Sequence, residues 1–311
     1  MDIYRGIKMK IDLEKIFDNC AICNSRHFKF IMLKKKNNIY ICRNCANESE
    51  HYGNSIWIYS PEEIKRGLKL KRNIAEMKEE EEREAKHREF LRKQHKEYME
   101  MIQSIKFIKP TISSEKVPRK FLKDMPEMKY KTVRKNTNLA KLNDFIVIDT
   151  ETTGLKPATN ELLEISAIKF INKKPVECLT TLIKPKKAIS NEITNINNID
   201  NKMVENMPSA PEIMQSFSDF IKGYNLVGYN IDFDLKFLHV NGLEFFNEKR
   251  EFYDVWPLCK RYFSDCGLYN YKLDTICDFY HIYRPQAHRA TEDALATGLL
   301  FVDIGQQIID E

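Results

Sequence analysis

Residues 145–155, with the sequence FIVIDTETTGL, constrain the fold of this chain more than any other stretch. The residues up to Ile148 are apolar and either aromatic or β-branched, which predicts a strand buried on both faces. Side chains alternate along a strand, so Asp149 and Glu151 should project together from one face where the strand ends. Gly154 can then turn the chain sharply. Neighbouring carboxylates repel each other and persist most readily around Mg²⁺ or Mn²⁺, although two solvated acids are the alternative interpretation.

Two later stretches place further acids in a related setting. In residues 226–238, LVGYNIDFDLKFL, a short apolar strand precedes a helix whose first turn contains Asp234. In residues 287–300, AHRATEDALATGLL, His288 lies in a loop before a helix, and Asp293 follows inside that helix. An isolated histidine there would be interpreted as a surface residue, so a catalytic assignment depends on the acids around it.

Taken together, the three stretches resemble the three motifs of the DEDD exonuclease superfamily, in its histidine-containing branch. That branch includes the epsilon proofreading subunit of bacterial DNA polymerase III. The resemblance covers about residues 143–308. It implies an α/β, ribonuclease H-like fold in which a mixed sheet is flanked by helices. Tyr229-Asn230 departs from the His-Asn pair often found in the family, and this departure concerns contacts with the substrate.

The function implied by the resemblance is metal-dependent 3′→5′ exonuclease activity that releases nucleoside monophosphates from DNA ends, preferably single-stranded 3′ ends. Two Mg²⁺ or Mn²⁺ ions, roughly 4 Å apart, would hold the scissile phosphate. His288 would be the general base, because an imidazole titrates near neutral pH. The implied catalytic residues are Asp149, Glu151, Asp234, His288 and Asp293, the four acids being metal ligands, and the implied substrate contacts are Thr152, Thr153, Leu155 and Asn230.

The resemblance also implies how the acids divide the metals. Asp149 would bridge both ions, Glu151 and Asp293 would help to hold the ion that carries the attacking water, and Asp234 would bind the other. Four further titratable residues are expected outside this set. We expect Asp232 to cap a helix, Asp254 and His281 to be structural, and Glu292 to face solvent.

Other functions remain open at this stage. An exoribonuclease is the first alternative, because the same site can accept either sugar. A non-catalytic nucleic-acid-binding adaptor is the second, and retention of all five catalytic residues argues against it. A polymerase or another replication or repair protein is a candidate partner. No stretch of ~20 apolar residues predicts a membrane span, and scattered cysteines suit a reducing cytoplasm.

A separate module is predicted at the N-terminus. Cys20 and Cys23 form one CxxC pair, and Cys42 and Cys45 form a second after 18 intervening residues. This spacing predicts one structural Zn²⁺ held by four thiolates in a zinc-ribbon-like module over residues 1–58. Two short strands, from Phe28 to Leu33 and from Asn38 to Cys42, would form its hairpin.

The middle of the chain separates that module from the exonuclease domain, predicted at 139–311. Ser60 and Pro61 start a long charged helix over 60–105, interpreted as a spacer, with a coiled-coil dimer as the alternative. Residues 106–138 read as a basic, partly disordered linker.

Charge divides the chain unevenly between its two halves. Residues 1–138 contain 32 lysines and arginines against 20 acids, whereas the remainder contains 18 against 25. We therefore expect the front half to attract a polyanion such as nucleic acid, although ordinary solubility charge is the alternative.

Overall fold

The computed structural model describes the backbone of residues 17–19, 26–28, 32–35, 39–42, 61–138, 142–243 and 249–310. Within these ranges, side chains are described from residue 79 onward, apart from Glu81. The chain divides into two compact units, Met1–Arg92 and Lys93–Glu311. No helix among the described residues combines the length and the apolar character that crossing a membrane requires.

The first unit contains two pairs of short antiparallel strands. Strand β1 (Phe17–Asn19) pairs with β2 (Arg26–Phe28), and β3 (Met32–Lys35) pairs with β4 (Ile39–Cys42). The predicted hairpin is therefore present, but its first strand begins at Met32. The predicted zinc site itself lies outside the described residues, including the side chain of Cys42.

Helix α1 (Pro61–Ser104) agrees with the predicted long helix within one residue at each end. From residue 79 to 93 its described side chains are exposed, as expected for a charged helix. Its last turns differ, because Tyr98, Met101 and Ile102 pack against the core of the second unit. The interpretation of the whole helix as a solvated spacer is therefore wrong for its C-terminal end.

The second unit is built on one seven-stranded sheet with helices on both faces. This confirms the predicted mixed sheet flanked by helices. Its elements are β5 (Lys106–Ile108), β6 (Tyr130–Lys131), β7 (Phe145–Thr152), β8 (Leu162–Ile171), β9 (Lys174–Leu182), α2 (Asn191–Asn197), α3 (Asn201–Val204), α4 (Ala210–Ile221), β10 (Asn225–Gly228), α5 (Asp232–Val240), β11 (Phe252–Asp254), α6 (Val255–Tyr262), α7 (Leu273–Tyr280) and α8 (Ala290–Asp310).

The order of the strands brings the residues after β7 and the residues after β10 to the same end of the sheet. The order is β5-β9-β8-β7-β10-β11-β6, and β8 alone among these seven runs opposite to the others. The carboxyl ends of β7 and β10 therefore lie side by side. Residues that follow these two strands are placed next to each other although about 80 residues separate them in sequence.

Alternation along β7 assigns its side chains to two cores. Phe145 and Val147 belong to one apolar cluster, which also contains residues of α6, α7 and α8. Ile146 and Ile148 belong to the other, with residues of α4 and α5. All four side chains are fully buried, which confirms a strand covered on both faces.

The predicted linker, residues 106–138, is part of the exonuclease unit. Its β5 pairs with β9 at one edge of the sheet and its β6 pairs with β11 at the other. Between them, backbone N–H groups of Ser113, Val117 and Lys120 donate to backbone carbonyls of α4 and α5. The prediction of an extended, partly disordered linker is therefore wrong, as is the boundary at residue 139.

Candidate active site

Three carboxylates converge where β7 leaves the sheet. Asp149 and Glu151 lie on the same face of β7, and Asp293 lies in the first turn of α8. One oxygen from each of the three carboxylates lies within 4.8 Å of the other two. The face is the one covered by α8, because Asp149 and Glu151 continue the alternation of Phe145 and Val147. The structure thus brings together three of the four predicted acids.

Helix α8 reaches this position because a glycine allows it to approach the sheet closely. A Cβ added at Gly298 would lie 2.3 Å from Phe170 and 3.0 Å from Val147. Any larger residue would therefore push the helix away from β7 and β8. Such a displacement would carry Asp293 away from the carboxylates on β7.

Asp234 approaches β7 from the opposite layer. It lies in the first turn of α5 and is 3% exposed. The hydroxyl of Thr150 donates a 2.7 Å hydrogen bond to its Oδ1. Because Thr150 alternates with Asp149 and Glu151, it points to the other face of the strand. The fourth acid is thus tied to the same strand without belonging to the three-carboxylate cluster.

The carboxylates perturb one another strongly. Burial raises the pKa of Asp149 well above its usual range, and the charges of Asp234 and Asp293 act in the same direction. Burial raises the pKa of Glu151 to about 8, again helped by the charge of Asp293. A hydrogen bond from the buried side chain of Asn197 partly opposes this rise in the pKa of Glu151.

The two acids on helices are perturbed less. Burial raises the pKa of Asp234 to about 7, while the hydrogen bond from Thr150 acts against it. Burial raises the pKa of Asp293 to about 6, and the guanidinium of Arg284 limits that rise. A set of crowded, partly buried oxygen ligands of this kind is what Mg²⁺ and Mn²⁺ prefer.

A fifth carboxylate, Glu164, neighbours the cluster and has its own cation. Glu164 pairs with Glu151 across the β7–β8 ladder and is almost fully buried. Arg289 donates to both of its oxygens, at 2.8 and 3.0 Å, and the N–H of Ala290 donates at 3.0 Å. This fork-to-fork pair ties the start of α8 to β8. Sequence reasoning missed it, although one acid inside the apolar run LLEISAI was a usable signal.

A second arginine holds Asp293 directly. Arg284 donates a 2.7 Å hydrogen bond to Asp293 Oδ1 and a further one to Asp274. Its side chain is 6% exposed. Arg284 therefore neutralises part of the negative charge of the site from the loop between α7 and α8. Its distance from Asp274 in sequence left no local pattern to reveal this role.

His288 lies in that loop, as predicted, and it is the least constrained of the five predicted catalytic residues. Its backbone adopts the left-handed conformation with φ 60°, and its side chain is 45% exposed. Its Nε2 lies 3.7 Å from Asp274 Oδ2. A half-exposed imidazole on a loop can move relative to the carboxylates that flank it.

Three of the predicted substrate contacts, Thr152, Thr153 and Leu155, lie at or just beyond the end of β7. Leu155 is 82% exposed, and Thr153 exchanges hydrogen bonds with Glu161 that close the loop around Gly154. Gly154 itself has φ 153°, which a residue with a side chain rarely adopts. Thr152 donates to the carbonyl of Gly154. An exposed leucine held by a hydrogen-bonded turn is suited to contact a base.

Asn230 lies beyond the end of β10 and is exposed, also with a positive φ of 58°. Its backbone N–H donates to Asp254, which also caps α6 through the N–H of Trp256. The structural role predicted for Asp254 is therefore confirmed. Asp254 fixes the turn that presents Asn230.

Two of the other predictions for individual acids are wrong. Asp232 does not cap α5, since it lies inside the first turn and accepts from Tyr130 at 2.7 Å. Glu292 does not face solvent, since its side chain is partly buried and accepts from Tyr98. The error for Asp232 arises because Ile231 is the N-cap of α5, and the error for Glu292 arises from Tyr98, which the sequence placed outside the domain. His281 ends α7 in a left-handed conformation, which agrees with a structural role.

The exonuclease family model, RNase_T, matches residues 146–301. This range contains all five predicted catalytic residues. The chain belongs to this exonuclease family. The mixed sheet flanked by helices agrees with the ribonuclease H-like fold that the resemblance implied. The family match begins after β5 and β6, which complete the sheet in this exonuclease.

Curated relatives are similar over about half of the chain. DNA polymerase III PolC-type of Caldanaerobacter subterraneus is 36% identical over 166 residues, covering 53% of this chain and 12% of the relative. DNA polymerase III subunit epsilon of Treponema pallidum is 34% identical over 160 residues, covering 50% of this chain and 74% of the relative. This chain thus spans only about an eighth of the PolC-type relative.

Solved structures with similarity to this exonuclease include E. coli exonuclease I in complex with a dA16 oligonucleotide. It matches with a TM-score of 0.47 and 17% identity, covering 54% of this chain and 42% of that chain. Exonuclease X in complex with 5′-overhanging duplex DNA matches with a TM-score of 0.43 and 24% identity, covering 52% and 92%.

Proposed function

We propose that this exonuclease hydrolyses DNA from 3′ ends with the help of divalent metal ions and releases nucleoside monophosphates. The observation that carries the proposal is the convergence of Asp149, Glu151 and Asp293, with Asp234 tied to the same strand through Thr150. Family membership supplies the reaction type, and the carboxylates supply a means to perform it.

The donor set fits hard divalent cations. One oxygen from each of three carboxylates lies within 4.8 Å of the other two, and the pKa values of Asp149 and Glu151 are raised by burial and mutual repulsion. Among the described residues, Arg284 on Asp293 is too little positive charge to balance them. Asp149, Glu151, Asp234 and Asp293 would hold the ions, which would neutralise the phosphate and lower the pKa of a bound water.

The remaining residues of the site would position the nucleotide and deprotonate the attacking water. His288 would accept the proton of the attacking water at one ring nitrogen, and its place on a loop would let the imidazole reach that water. Leu155 and the turn at Thr153 would contact the terminal nucleotide. Glu164 and Arg289 touch no reacting atom and would hold the start of α8 and, with it, His288 and Asp293.

DNA is the proposed substrate because the curated relatives described above are named DNA polymerase III PolC-type and DNA polymerase III subunit epsilon. A 5′-labelled single-stranded DNA and an RNA of the same sequence test this together. The expected result is a ladder that shortens from the 3′ end, with Mg²⁺ or Mn²⁺, faster on DNA. Faster loss of RNA would favour an exoribonuclease, and absence of cleavage of either strand would overturn the proposal.

We also propose that a polymerase, or another replication or repair protein, is the partner of this exonuclease. A proofreading role predicts faster removal of a mispaired 3′ nucleotide than of a paired one, because the mispaired end frays into a single strand. The measurement is release of the terminal nucleotide from two duplexes that differ only at that pair. Equal rates would argue against proofreading.

For the N-terminal module, we propose one structural Zn²⁺ on Cys20, Cys23, Cys42 and Cys45. The spacing of the cysteines and the β3–β4 hairpin between the pairs support it. About one zinc per chain is expected, and replacing Cys20 and Cys23 by serine should release it while nuclease activity on short DNA remains. Equal zinc content in both proteins would contradict the assignment.

We further propose that both parts of the basic front half attract nucleic acid. Residues 93–138 carry 12 of its 32 basic residues and 5 of its 20 acids. Removing residues 1–92 from an inactive variant should therefore weaken binding to long single strands. Each lost phosphate contact lowers the log–log salt slope by about 0.7. Superimposable slopes would mean that residues 1–92 do not touch the strand.

A further inference from the structure

One face of α1 contacts both ends of the loop that carries His288. Gln94 donates from its side chain to the carbonyl of His281, at the end of α7. Four residues later, the hydroxyl of Tyr98 donates to Glu292, in the first turn of α8. Residues four apart on a helix lie on the same face. The last turns of α1 therefore span the segment from residue 281 to residue 292.

Aromatic contacts fill the space between these two hydrogen bonds. The ring of Tyr283 packs edge-on against His95 and Tyr98, with centroid distances of 5.6 and 5.4 Å. His95 Nδ1 also lies 3.0 Å from Tyr283 Oη. Tyr283 directly precedes Arg284, which holds Asp293. The contact with α1 thus reaches the residue next to the cation of the site.

Glu292, which accepts the Tyr98 hydrogen bond, lies next to the residues that support the site. Glu292 directly precedes Asp293, and the positive charges of Arg284 and Arg289 act on its carboxylate. Within the described part of the chain, its Oε2 is buried and has no hydrogen-bond partner. The Tyr98 hydroxyl is consequently the donor that satisfies this partly buried acid. Loss of the Tyr98 hydroxyl would leave the Glu292 carboxylate without this hydrogen-bond donor.

We propose that Tyr98 is a positioning residue of the exonuclease site, which sets the location of His288 and Asp293 through Glu292 and Tyr283. This inference rests on the proposed nuclease function. Tyr98 lies 48 residues before the range matched by the family model, in a helix that the sequence assigned to a spacer. The active site of this chain would therefore depend on α1.

The test compares two tyrosines that make the same kind of bond. Tyr98→Phe keeps the ring against Tyr283 and removes only the hydroxyl. Tyr280→Phe is the matched control, since Tyr280 donates to Asp303 at 2.6 Å between α7 and α8, outside the 281–292 loop. The full-length chain is assayed on a 5′-labelled single-stranded DNA with Mg²⁺, and kcat and KM are measured separately. Hydrogen exchange of residues 281–292 is followed in both variants.

Tyr98→Phe should lower kcat about tenfold with little change in KM. This is the lower end of the 10–100-fold loss typical for direct partners of metal ligands, because Tyr98 acts on Asp293 only through the neighbouring Glu292. Amide exchange in the loop should accelerate in this variant, whereas Tyr280→Phe should change neither quantity. In a Glu292→Ala background, Tyr98→Phe should have no further effect, because the bond is already absent.

Three results would overturn the inference: an unchanged kcat in Tyr98→Phe, equal losses in the two tyrosine variants, or additive losses in the double variant. A wild-type chain that degrades neither DNA nor RNA would instead contradict the proposed function. Loop exchange still distinguishes the two variants in that case, and equal exchange would then contradict the positioning role of Tyr98 as well.

Discussion

The carboxylates on β7 and the histidine on the α7–α8 loop are held in place by different means. Asp149 and Glu151 lie on a strand that pairs with β8 at both residues and with β10 just before them, so moving them would break the hydrogen bonds of the sheet. His288 lies on a loop held by ion pairs of its own Arg284 and of the neighbouring Arg289, with Asp293 and Glu164, and by the contact of α1 with Glu292. Substitutions on the strand should therefore remove groups that take part in the reaction, whereas substitutions around the loop should shift the position of His288.

The largest expected effect is at the strand. Asp149→Asn keeps the shape of the side chain and removes its charge, so activity with Mg²⁺ should fall by more than about 10³-fold. The fold should persist, because one source of carboxylate repulsion is removed. Rates on single-stranded DNA and a thermal melt measure both. Asp303→Asn is the control, and near-wild-type turnover of Asp149→Asn would refute the site assignment.

Truncation of the front half should damage both the β7 strand and the α7–α8 loop. A fragment of residues 139–311 lacks β5, β6 and the end of α1, and it exposes core that Ile105 and Val133 cover. Each of those side chains contributes about 1.5–3 kcal/mol of burial, against a total stability of about 5–15 kcal/mol. The 139–311 fragment should therefore be far less stable than a fragment that retains these segments.

A fragment of residues 93–311 is the control for that truncation, because it retains every strand of the sheet. Denaturant unfolding of the two fragments gives the difference in stability. Equal stability would mean that residues 93–138 contribute little to the domain, and the boundary predicted at residue 139 would be restored.

An intermediate effect is expected at the loop. Arg289→Lys keeps the positive charge and loses the two-point contact with Glu164, so kcat should fall about 10–100-fold while Mg²⁺ still binds. Glu177→Gln, which breaks a similar pair with Lys169 across β8 and β9, should lower stability without lowering kcat. If both variants lose activity equally, the loop is no more sensitive than the sheet.

The smallest effect is the response of metal-free protein to pH. In the folded protein the pKa of Glu151 is about 8, above its usual value. The folded state is therefore favoured when Glu151 is protonated. Its contribution to stability is full below about pH 4.5 and is lost as the pH rises through about 8. The free energy of unfolding should thus decrease over that window by a few kcal/mol at most, since one pKa unit corresponds to about 1.4 kcal/mol.

Glu151→Gln should flatten this pH dependence, and Mg²⁺ should reverse the loss in the wild-type chain. Chemical unfolding at a series of pH values, with and without Mg²⁺, provides the measurement. A stability that rises with pH in the metal-free wild type would have the opposite sign and would show that Glu151 is not held in a repulsive cluster.

The sequence by itself determined the parts of the site that depend on local pattern. Four apolar residues before Asp149 predicted a buried strand, and strand alternation placed Glu151 on the same side. The positions of Asp234 in the first turn of a helix, of Asp293 inside a helix, and of His288 in a loop followed in the same way. Each of these features depends on residues within a few positions of one another, which a single sequence displays.

Only the tertiary structure decided which distant residues support that site. Glu164 meets Arg289 across 125 residues, and Tyr98 meets Glu292 across 194. Short segments such as β5 and β6 carry too little pattern to identify as strands, because their partners, not their own composition, make them strands. The composition of residues 106–138 is that of a linker, but the open edges of the sheet accept their backbone hydrogen bonds and so incorporate them into the domain.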